Sequence, residues 1–213
     1  MIDKTFRTVA VVAALVAAAS ALSGCAALLV GGAVVGGSLL ATDRRTSGAQ
    51  IEDQAIELKS NTRVREILGD RGHVNVTSYN RLVLLSGEVP TDSDKESIEQ
   101  SVSKVDNARS VVNELAVMTA SSLSNRSNDA LVTTKVKATL VDAGDISANA
   151  FKVLTERGIV YLMGRVTERE AERASELTRS ISGVQKVVRV VEVITEAELA
   201  QIDPRNAPKQ PRP

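Results

Sequence analysis

The sequence predicts an α+β protein that contains two copies of one small domain, each with the element order αββαβ. An internal repeat, paired β-rich runs around a tight turn, and helical patterns flanking those runs carry this prediction. In each copy, a three-stranded mixed sheet is expected to pack against two helices and form a two-layer sandwich. Each copy has about 70 residues, which is small but sufficient for an independent fold.

The repeat is visible in two sets of corresponding segments. Residues 82–89 (Leu-Val-Leu-Leu-Ser-Gly-Glu-Val) correspond to residues 159–166 (Ile-Val-Tyr-Leu-Met-Gly-Arg-Val). Further along the chain, residues 105–112 correspond to residues 181–188. The spacing from the shared glycine differs by one residue, which fits an insertion or deletion at residues 90–91.

The first copy is expected to begin with a helix over residues 52–68. Two strands follow and meet at a turn formed by Asn80 and Arg81, since a polar pair between two apolar runs is typical of a hairpin. A second helix is predicted over residues 92–105, and a last strand over residues 110–118.

The second copy repeats this order, with a first helix predicted over residues 129–141. Its strands meet at Arg157 and Gly158, where glycine suits a tight turn because it accepts a positive φ. A helix over residues 168–181 and a strand over residues 186–194 complete the copy.

The glycines Gly87 and Gly164 are expected to end the second strand of each copy, where the backbone bends or is closely approached.

The predicted segments are a lipoprotein signal peptide (1–24), a lipidated glycine-rich tether (25–48), a first domain (49–119), a linker (120–127), a second domain (128–196) and a disordered tail (197–213).

The N-terminal segment has the three parts of a secretory signal. Lys4 and Arg7 give a positive start, residues 9–22 are apolar, and small residues at 23–24 lead directly into Cys25. This pattern predicts that the thiol is lipidated before cleavage, so that the mature chain begins with an acylated cysteine. Several acyl chains anchor firmly, because each buried CH₂ contributes about 0.8 kcal/mol. The alternative is a chance cysteine after an uncleaved signal anchor.

The compartment follows from the anchor. By the sorting rule known for such lipoproteins, Ala26 after the cysteine favours the outer membrane. Residues 26–40 would form a flexible tether or lie along the bilayer surface. Since Cys25 is the only cysteine, no disulfide is expected. Removal of the signal leaves a net charge of about −1, which does not favour a nucleic-acid partner.

The repeats resemble BON domains, in which an apolar strand ends in Gly-x-Val and Gly-Val-x-x-Val precedes the last strand. Residues 164–166 (Gly-Arg-Val) and 183–187 (Gly-Val-Gln-Lys-Val) match this pattern, whereas the first copy has Asn107 and Ala108 in place of Gly-Val. From the signal to the second repeat, the chain resembles the dual-BON-domain outer-membrane lipoproteins. Other segments close to their pattern are residues 127–129, 133–136 and 161–171.

This resemblance implies a lipid-anchored outer-membrane protein that faces the periplasm. It implies that the second domain binds anionic phospholipids, namely phosphatidylglycerol or cardiolipin, and that the protein helps to maintain outer-membrane integrity. An alternative is a protein-interaction module that docks on outer-membrane assembly machinery through an exposed sheet edge of the first domain.

The first helix of the second copy has a pattern suited to a bilayer surface. Its core stripe at a spacing of 100° per residue consists of Val132, Val136, Thr139, Leu140 and Ala143. The predicted phospholipid-binding residues lie on or beside the opposite stripe: Leu131, Thr134, Lys135, Lys137, Ala138 and Val141. Lipoproteins of this class can have a tryptophan near this helix start, but this chain has none, and Leu131 stands there. Binding is therefore expected to be weaker or to depend more on the two lysines.

Catalysis is not expected. His73 is the only histidine and is interpreted as a strand-edge residue, and no nucleophile elbow or phosphate loop occurs. Glu168, Glu170 and Glu172 are interpreted as a solvated first helical turn that complements the helix dipole. No cofactor and no metal site are predicted.

Overall fold

The computed structural model describes residues 43–202. The predicted signal peptide, Cys25, most of the tether and residues 203–213 lie outside the described residues. In the described range, no helix is long and apolar enough to cross a membrane.

The first domain contains two helices and a mixed sheet. Its elements are α1 (Ser47–Leu68), β1 (His73–Tyr79), β2 (Leu82–Val89), α2 (Asp92–Val102), β3 (Ser110–Asn113) and β4 (Ala116–Val117). β1 is antiparallel to β2, while β3 and β4 both pair with β2 in parallel. The single last strand predicted over residues 110–118 is therefore interrupted. The side chain of Asn113 accepts the N–H of Leu115 at 3.2 Å, and the Leu115 side chain is buried in the core.

The second domain has the same order. Its elements are α3 (Leu123–Ala143), β5 (Phe151–Glu156), β6 (Ile159–Val166), α4 (Glu168–Arg179) and β7 (Lys186–Val193), followed by α5 (Glu196–Ile202). β6 lies between β5, to which it is antiparallel, and β7, to which it is parallel. The predicted α+β class with mixed sheets is confirmed.

Helix occupies part of two segments that were predicted to be irregular. α3 begins at Leu123 because Ser122 caps the helix by accepting the N–H of Asn125, so most of the expected linker at 120–127 is helix. The first part of the expected tail at 197–213 forms α5. There, Thr195 and Glu198 bond each other's backbone N–H groups, which stabilises the first turn.

Helix boundaries differ from the prediction in other places as well, and α3 ends at Ala143, two residues beyond its predicted end. α1 begins at Ser47, five residues before the predicted start, because Thr46 accepts the N–H of Ala49 at 3.1 Å. α2 ends at Val102 and α4 at Arg179, each earlier than predicted. The chain then makes tight turns that lead into the last strand of each domain.

Both hairpins turn through two residues with positive φ, as expected. The values are 50° and 69° at Asn80 and Arg81, and 54° and 71° at Arg157 and Gly158. This geometry matches the right-handed twist of the strands that it joins.

Gly87 and Gly164 lie inside β2 and β6, two residues before the strand ends, and not at the ends. A methyl group at Gly87 would collide with the carbonyl oxygen of His73, and one at Gly164 with that of Ala150. Close approach of the neighbouring chain is therefore the reason for both glycines.

Each sheet buries both of its faces. In β2, Val83 and Leu85 pack against the helices of the first domain, whereas Leu84 points to the other side. The same alternation occurs in β6, where Val160 and Leu162 face the helices. The second faces of the two sheets pack against each other around Tyr79, Leu84, Tyr161, Met163 and Val190. The result is four layers in the order helix, sheet, sheet, helix.

Polar contacts at both ends of the sheets join the two domains. At one end, Asn80 in the first hairpin turn bonds Glu192 of β7 at 2.7 Å. At the other end, Arg157 in the second turn bonds Gly87 O of β2 at 2.8 Å. Because of this arrangement, α1 and α3 lie in opposite outer layers of the molecule.

Candidate functional site

The outward face of α3 is the candidate site. The structure places all six predicted residues at exposed positions, with Leu131 at 61% and Val141 at 64% exposure. We refer to Leu131, Thr134, Ala138 and Val141 as the outer stripe. The sequence analysis missed Leu123, which is 79% exposed on the first turn of the same helix, because that segment was assigned to the linker.

The inward face of α3 holds the helix on the sheet. Val132, Val136 and Leu140 are at most 7% exposed and belong to the core of the second domain. Thr139 and Ala143 are only partly buried. The expected core stripe is thus correct, and burial of its large members leaves the outer stripe facing solvent.

The two lysines beside the outer stripe have no anionic partner. Within residues 43–202, no carboxylate lies within ion-pairing distance of Lys135 or Lys137, while fourteen other ion pairs occur there. Both ammonium groups therefore remain available to an external anion.

A buried aspartate positions the start of α3. The carboxylate of Asp129 accepts the backbone N–H groups of Arg157 and Gly158 at 2.8 and 2.9 Å, which ties the helix to the hairpin turn. In the first domain, Asp53 accepts the N–H groups of Asn80 and Arg81 in the same way. An aspartate at the same place in each helix was the sequence signal for this role.

The segment that follows the tether is held by the second domain. The guanidinium of Arg44 makes a bidentate pair with Glu170 at 2.8 Å and also donates to Arg165 O at 3.0 Å. Both side chains are at most 4% exposed. The prediction that Glu170 lies on a solvated face is therefore wrong. The burial of Glu170 depends on Arg44, which is distant in the chain, and helical periodicity does not indicate such a partner.

The acidity of Glu170 reflects this contact. Burial alone would raise the pKa of the carboxyl, but the hydrogen bonds from Arg44 and from the N–H of Thr167 outweigh it. The pKa of Glu170 consequently lies below its ordinary value, and the pair is charged at neutral pH.

The next residue holds the same segment to the first domain. Arg45 pairs with Asp43 and Asp53 at 2.8 Å and lies over the ring of Tyr79, 4.2 Å from its centroid. Residues 43–46 therefore contact both domains before α1 begins.

A cleft between the domains contains the single histidine, at the start of edge strand β1 as expected. Burial and the nearby charge of Arg126 lower the pKa of His73, while burial raises the pKa of Glu156. Over residues 43–202, no group of three or more His, Cys, Asp or Glu side chains is arranged to hold a metal ion.

The structure defines a tandem α+β protein built from two αββαβ units. The last strand is interrupted in the first unit and continuous in the second, and the outward face of α3 is exposed and cationic. The sequence profile of the BON domain matches residues 58–119 and 128–195. The chain is similar to outer membrane lipoprotein DolP of Haemophilus influenzae, with 38% identity over 171 residues that cover 79% of this chain and 88% of that protein. The chain therefore belongs to the DolP family of dual-BON-domain outer-membrane lipoproteins.

Other relatives share the two-domain region. The 21 kDa hemolysin of Actinobacillus pleuropneumoniae is 30% identical over 154 residues, which cover 71% of this chain and 79% of that protein. Osmotically-inducible protein Y of Escherichia coli is 27% identical over 148 residues, covering 66% of this chain and 72% of that protein.

Proposed function

We propose that this outer-membrane lipoprotein is a non-enzymatic phospholipid-binding protein. Cys25 carries the lipid anchor, the two domains face the periplasm, and the outward face of α3 binds anionic phospholipid such as phosphatidylglycerol or cardiolipin. Through this second contact, the protein helps to maintain outer-membrane integrity.

The contrast between the two domains is the observation that carries the proposal. Lys59 in α1 and Lys135 in α3 each lie six residues after the aspartate that holds the hairpin turn. Lys59 pairs with Asp106 at 3.4 Å, whereas Lys135 has no carboxylate partner within the described part of the chain. A free lysine near an anionic bilayer contributes on the order of 1 kcal/mol to binding.

The outer stripe supplies the apolar part of the contact. Leu131 and Val141 lie ten residues apart and remain mostly exposed, so both side chains can enter the boundary between headgroups and acyl chains. Apolar residues flanked by lysines on one helix face are the pattern of an interfacial helix.

The position of Arg44 is consistent with an orientation in which α3 faces the bilayer. Arg44 contacts the start of α4, which lies in the same helix layer as α3. The start of the described chain thus contacts the second domain through Arg44, and α1 lies in the opposite layer. We infer that α3 faces the membrane and that α1 is turned away from it.

Co-sedimentation with vesicles tests this proposal. The described residues 43–202 lie within one compact unit, so the chain from Asp43 onward is suitable for this experiment. We expect it to pellet with vesicles that contain phosphatidylglycerol but not with phosphatidylcholine alone, and less so at high salt. Lys135→Glu and Leu131→Glu should each weaken binding about tenfold or more.

Two control variants are matched in chemistry and exposure. Lys59→Glu makes the same charge change as Lys135→Glu. Leu58→Glu is the control for Leu131→Glu, because Leu58 is 67% exposed on α1 and Leu131 is 61% exposed on α3. Equal losses in the two helices would assign binding to net charge or general hydrophobicity and would contradict a site on α3.

A second candidate function follows from α1. Ile51 and Leu58 are 68% and 67% exposed and lie about two turns apart on one face of α1, in the layer opposite α3. Such a face favours a protein partner, for which outer-membrane assembly machinery is the candidate. If Leu58→Glu removes function in cells and leaves vesicle binding intact, this second function is the correct one.

A further inference from the structure

A groove of about 490 Å³ lies between α3 and the loop that follows α4. Its lining includes Asn125, Asn128, Leu131, Lys135, Ser182 and Gln185. Leu131 and Lys135 also belong to the proposed membrane-binding face, so the groove opens on that face. This volume is within the range of about 300–1,000 Å³ that small ligands occupy in proteins.

The walls of the groove are held by the backbone. Gly183 has a φ of 99°, and a Cβ atom there would lie 2.8 Å from the Val132 side chain of α3. The N–H of Gln185 donates to Gly158 O at 2.8 Å, which fixes the loop on the hairpin turn. The loop therefore approaches α3 closely in a defined position, and the groove does not depend on a mobile segment.

The polar groups in the groove favour a singly charged anion that also carries hydroxyl groups. Asn125, Asn128 and Gln185 offer neutral amides that both donate and accept, and Lys135 offers one cation. The lining carboxylate of Asp129 is already engaged by two backbone N–H groups. The lining guanidinium of Arg157 is engaged by Glu88 at 3.0 Å.

The corresponding position in the first domain is closed. Lys59 of α1 pairs with Asp106 of the loop at 3.4 Å, and Asn107 donates to Glu52 of α1 at 2.8 Å. Arg81 also donates to the carbonyl oxygen of Asn107 at 2.9 Å. In the second domain, Ser182 and Gly183 occupy the places of Asp106 and Asn107, and these bridges are missing from the described contacts.

We propose that this groove is the headgroup pocket of the second domain. It takes a glycerol-bearing phosphodiester headgroup, with the phosphate at Lys135, the hydroxyls at the amides of Asn128 and Gln185, and the acyl chains beyond Leu131. This inference rests on the proposed function of α3 and adds headgroup selectivity to it.

The test compares two lipids that differ only in hydroxyl groups. Phosphatidylglycerol and phosphatidylpropanol are both singly charged phosphodiesters with three-carbon headgroups, so vesicles with equal fractions present equal surface charge. We expect residues 43–213 to bind phosphatidylglycerol vesicles about thirtyfold more tightly, since each of the two hydroxyl hydrogen bonds contributes about fivefold, or about 1 kcal/mol. Gln185→Leu removes one of these bonds and should reduce the preference to about fivefold. Gln54→Leu makes the same change at an exposed position of α1 and should keep the preference.

The outcomes distinguish headgroup binding in the groove from membrane binding by the outward face of α3. Equal binding of the two anionic lipids by the unaltered protein, unchanged by Gln185→Leu, would overturn the pocket and leave the proposed function intact. Binding to neither anionic lipid would overturn the proposed function. In that case, soluble glycerophosphoglycerol provides the second readout. Shifts of the Ser182 and Gly183 amide resonances would support the pocket without a membrane, and unchanged resonances would overturn it.

Discussion

The two domains have one architecture, but their first helices present different chemistry to the solvent. In α1, Lys59 is bridged to Asp106 in the neighbouring loop, and Asn107 of that loop bonds Glu52. In α3, Lys135 has no such bridge within the described residues, and a groove separates the helix from the loop. The same fold can therefore close its helix–loop surface in one copy and leave it open for a ligand in the other.

What the copies share concerns folding. Asp53 and Asp129 each accept two backbone N–H groups from a hairpin turn. The buried carboxylate orders a turn that the local sequence already favours. The similarity of the domains thus lies in their interior, and their difference lies at the surface, where an altered side chain costs little stability.

The largest effect on stability is expected when the contact between the tether and the second domain is removed. Glu170→Ala leaves the guanidinium of Arg44 buried without its counter-charge, and we expect a loss of about 3–5 kcal/mol in the free energy of unfolding. Denaturant unfolding of residues 43–213 measures this loss. Glu168 in the same turn pairs with Arg189 at the surface, so Glu168→Ala should cost less than about 1 kcal/mol. Equal costs would contradict the buried role of Glu170.

This contact also gives a pH dependence. Because the pKa of Glu170 is lower in the folded protein than in the unfolded chain, its stabilisation is present above a pH of about 4.3. The stabilisation is lost as the pH falls through the folded-state pKa. The difference in unfolding free energy between the unaltered protein and Glu170→Gln should therefore shrink below about pH 4. A constant difference from pH 7 to pH 3 would be inconsistent with this interpretation.

The next effect distinguishes the two turn-holding aspartates. Asp53 also accepts from Ser78 Oγ at 2.6 Å and pairs with Arg45, and Asp129 lacks both contacts. We expect Asp53→Ala to cost about 3–4 kcal/mol and Asp129→Ala about 2 kcal/mol. Thermal or denaturant unfolding measures both values, and a greater cost for Asp129→Ala would reverse this ranking.

A smaller effect is expected when the helix–loop ion pair of the first domain is introduced into the second domain. Ser182→Asp places a carboxylate where Asp106 stands in the first domain, opposite Lys135. We expect the new pair to reduce binding to phosphatidylglycerol vesicles about five- to tenfold, because the lysine is neutralised and the groove is narrowed. Circular dichroism checks that the fold is intact. If binding is unchanged, the difference between the helices has another cause.

The smallest effect concerns two tyrosines in the contact between the sheets. Burial raises the pKa of each hydroxyl to about 12. The hydroxyl of Tyr79 donates to Ala150 O at 3.3 Å, while that of Tyr161 is buried with no hydrogen-bond partner in the described structure. Tyr79→Phe should cost about 1 kcal/mol, and Tyr161→Phe should be neutral or gain up to about 1 kcal/mol. Unfolding measurements that show the same sign for both variants would argue against this difference.

Much of the fold could be predicted because its signals are local. Asn80 and Gly158 are residue types that adopt positive φ more readily than most, and each turn contains one of them, so both turns were placed correctly. The core stripe of α3 was also correct, since helical periodicity shows which residues share a face. The start of α3 was misplaced because Ser122 resembles loop residues unless its capping bond is known.

The candidate site was only partly predictable. The helical spacing of Leu131, Thr134, Ala138 and Val141 predicted the outer stripe. The groove, however, also needs the loop near Gly183, which approaches α3 only in the folded domain. The pairing of Arg44 with Glu170 joins residues 126 positions apart, and neither residue has a local pattern that indicates its partner.

The sequence by itself determined the two repeats, the order of their helices and strands, the hairpin turns and the amphipathic faces, because these depend on contacts between residues close in the chain. Only the tertiary structure decided that the sheets pack face to face and that Arg44 docks on the second domain. It also decided that Lys59 is bridged while Lys135 has no carboxylate partner among residues 43–202. The physical reason is that such contacts depend on which distant surfaces meet, and local propensity and periodicity do not specify this.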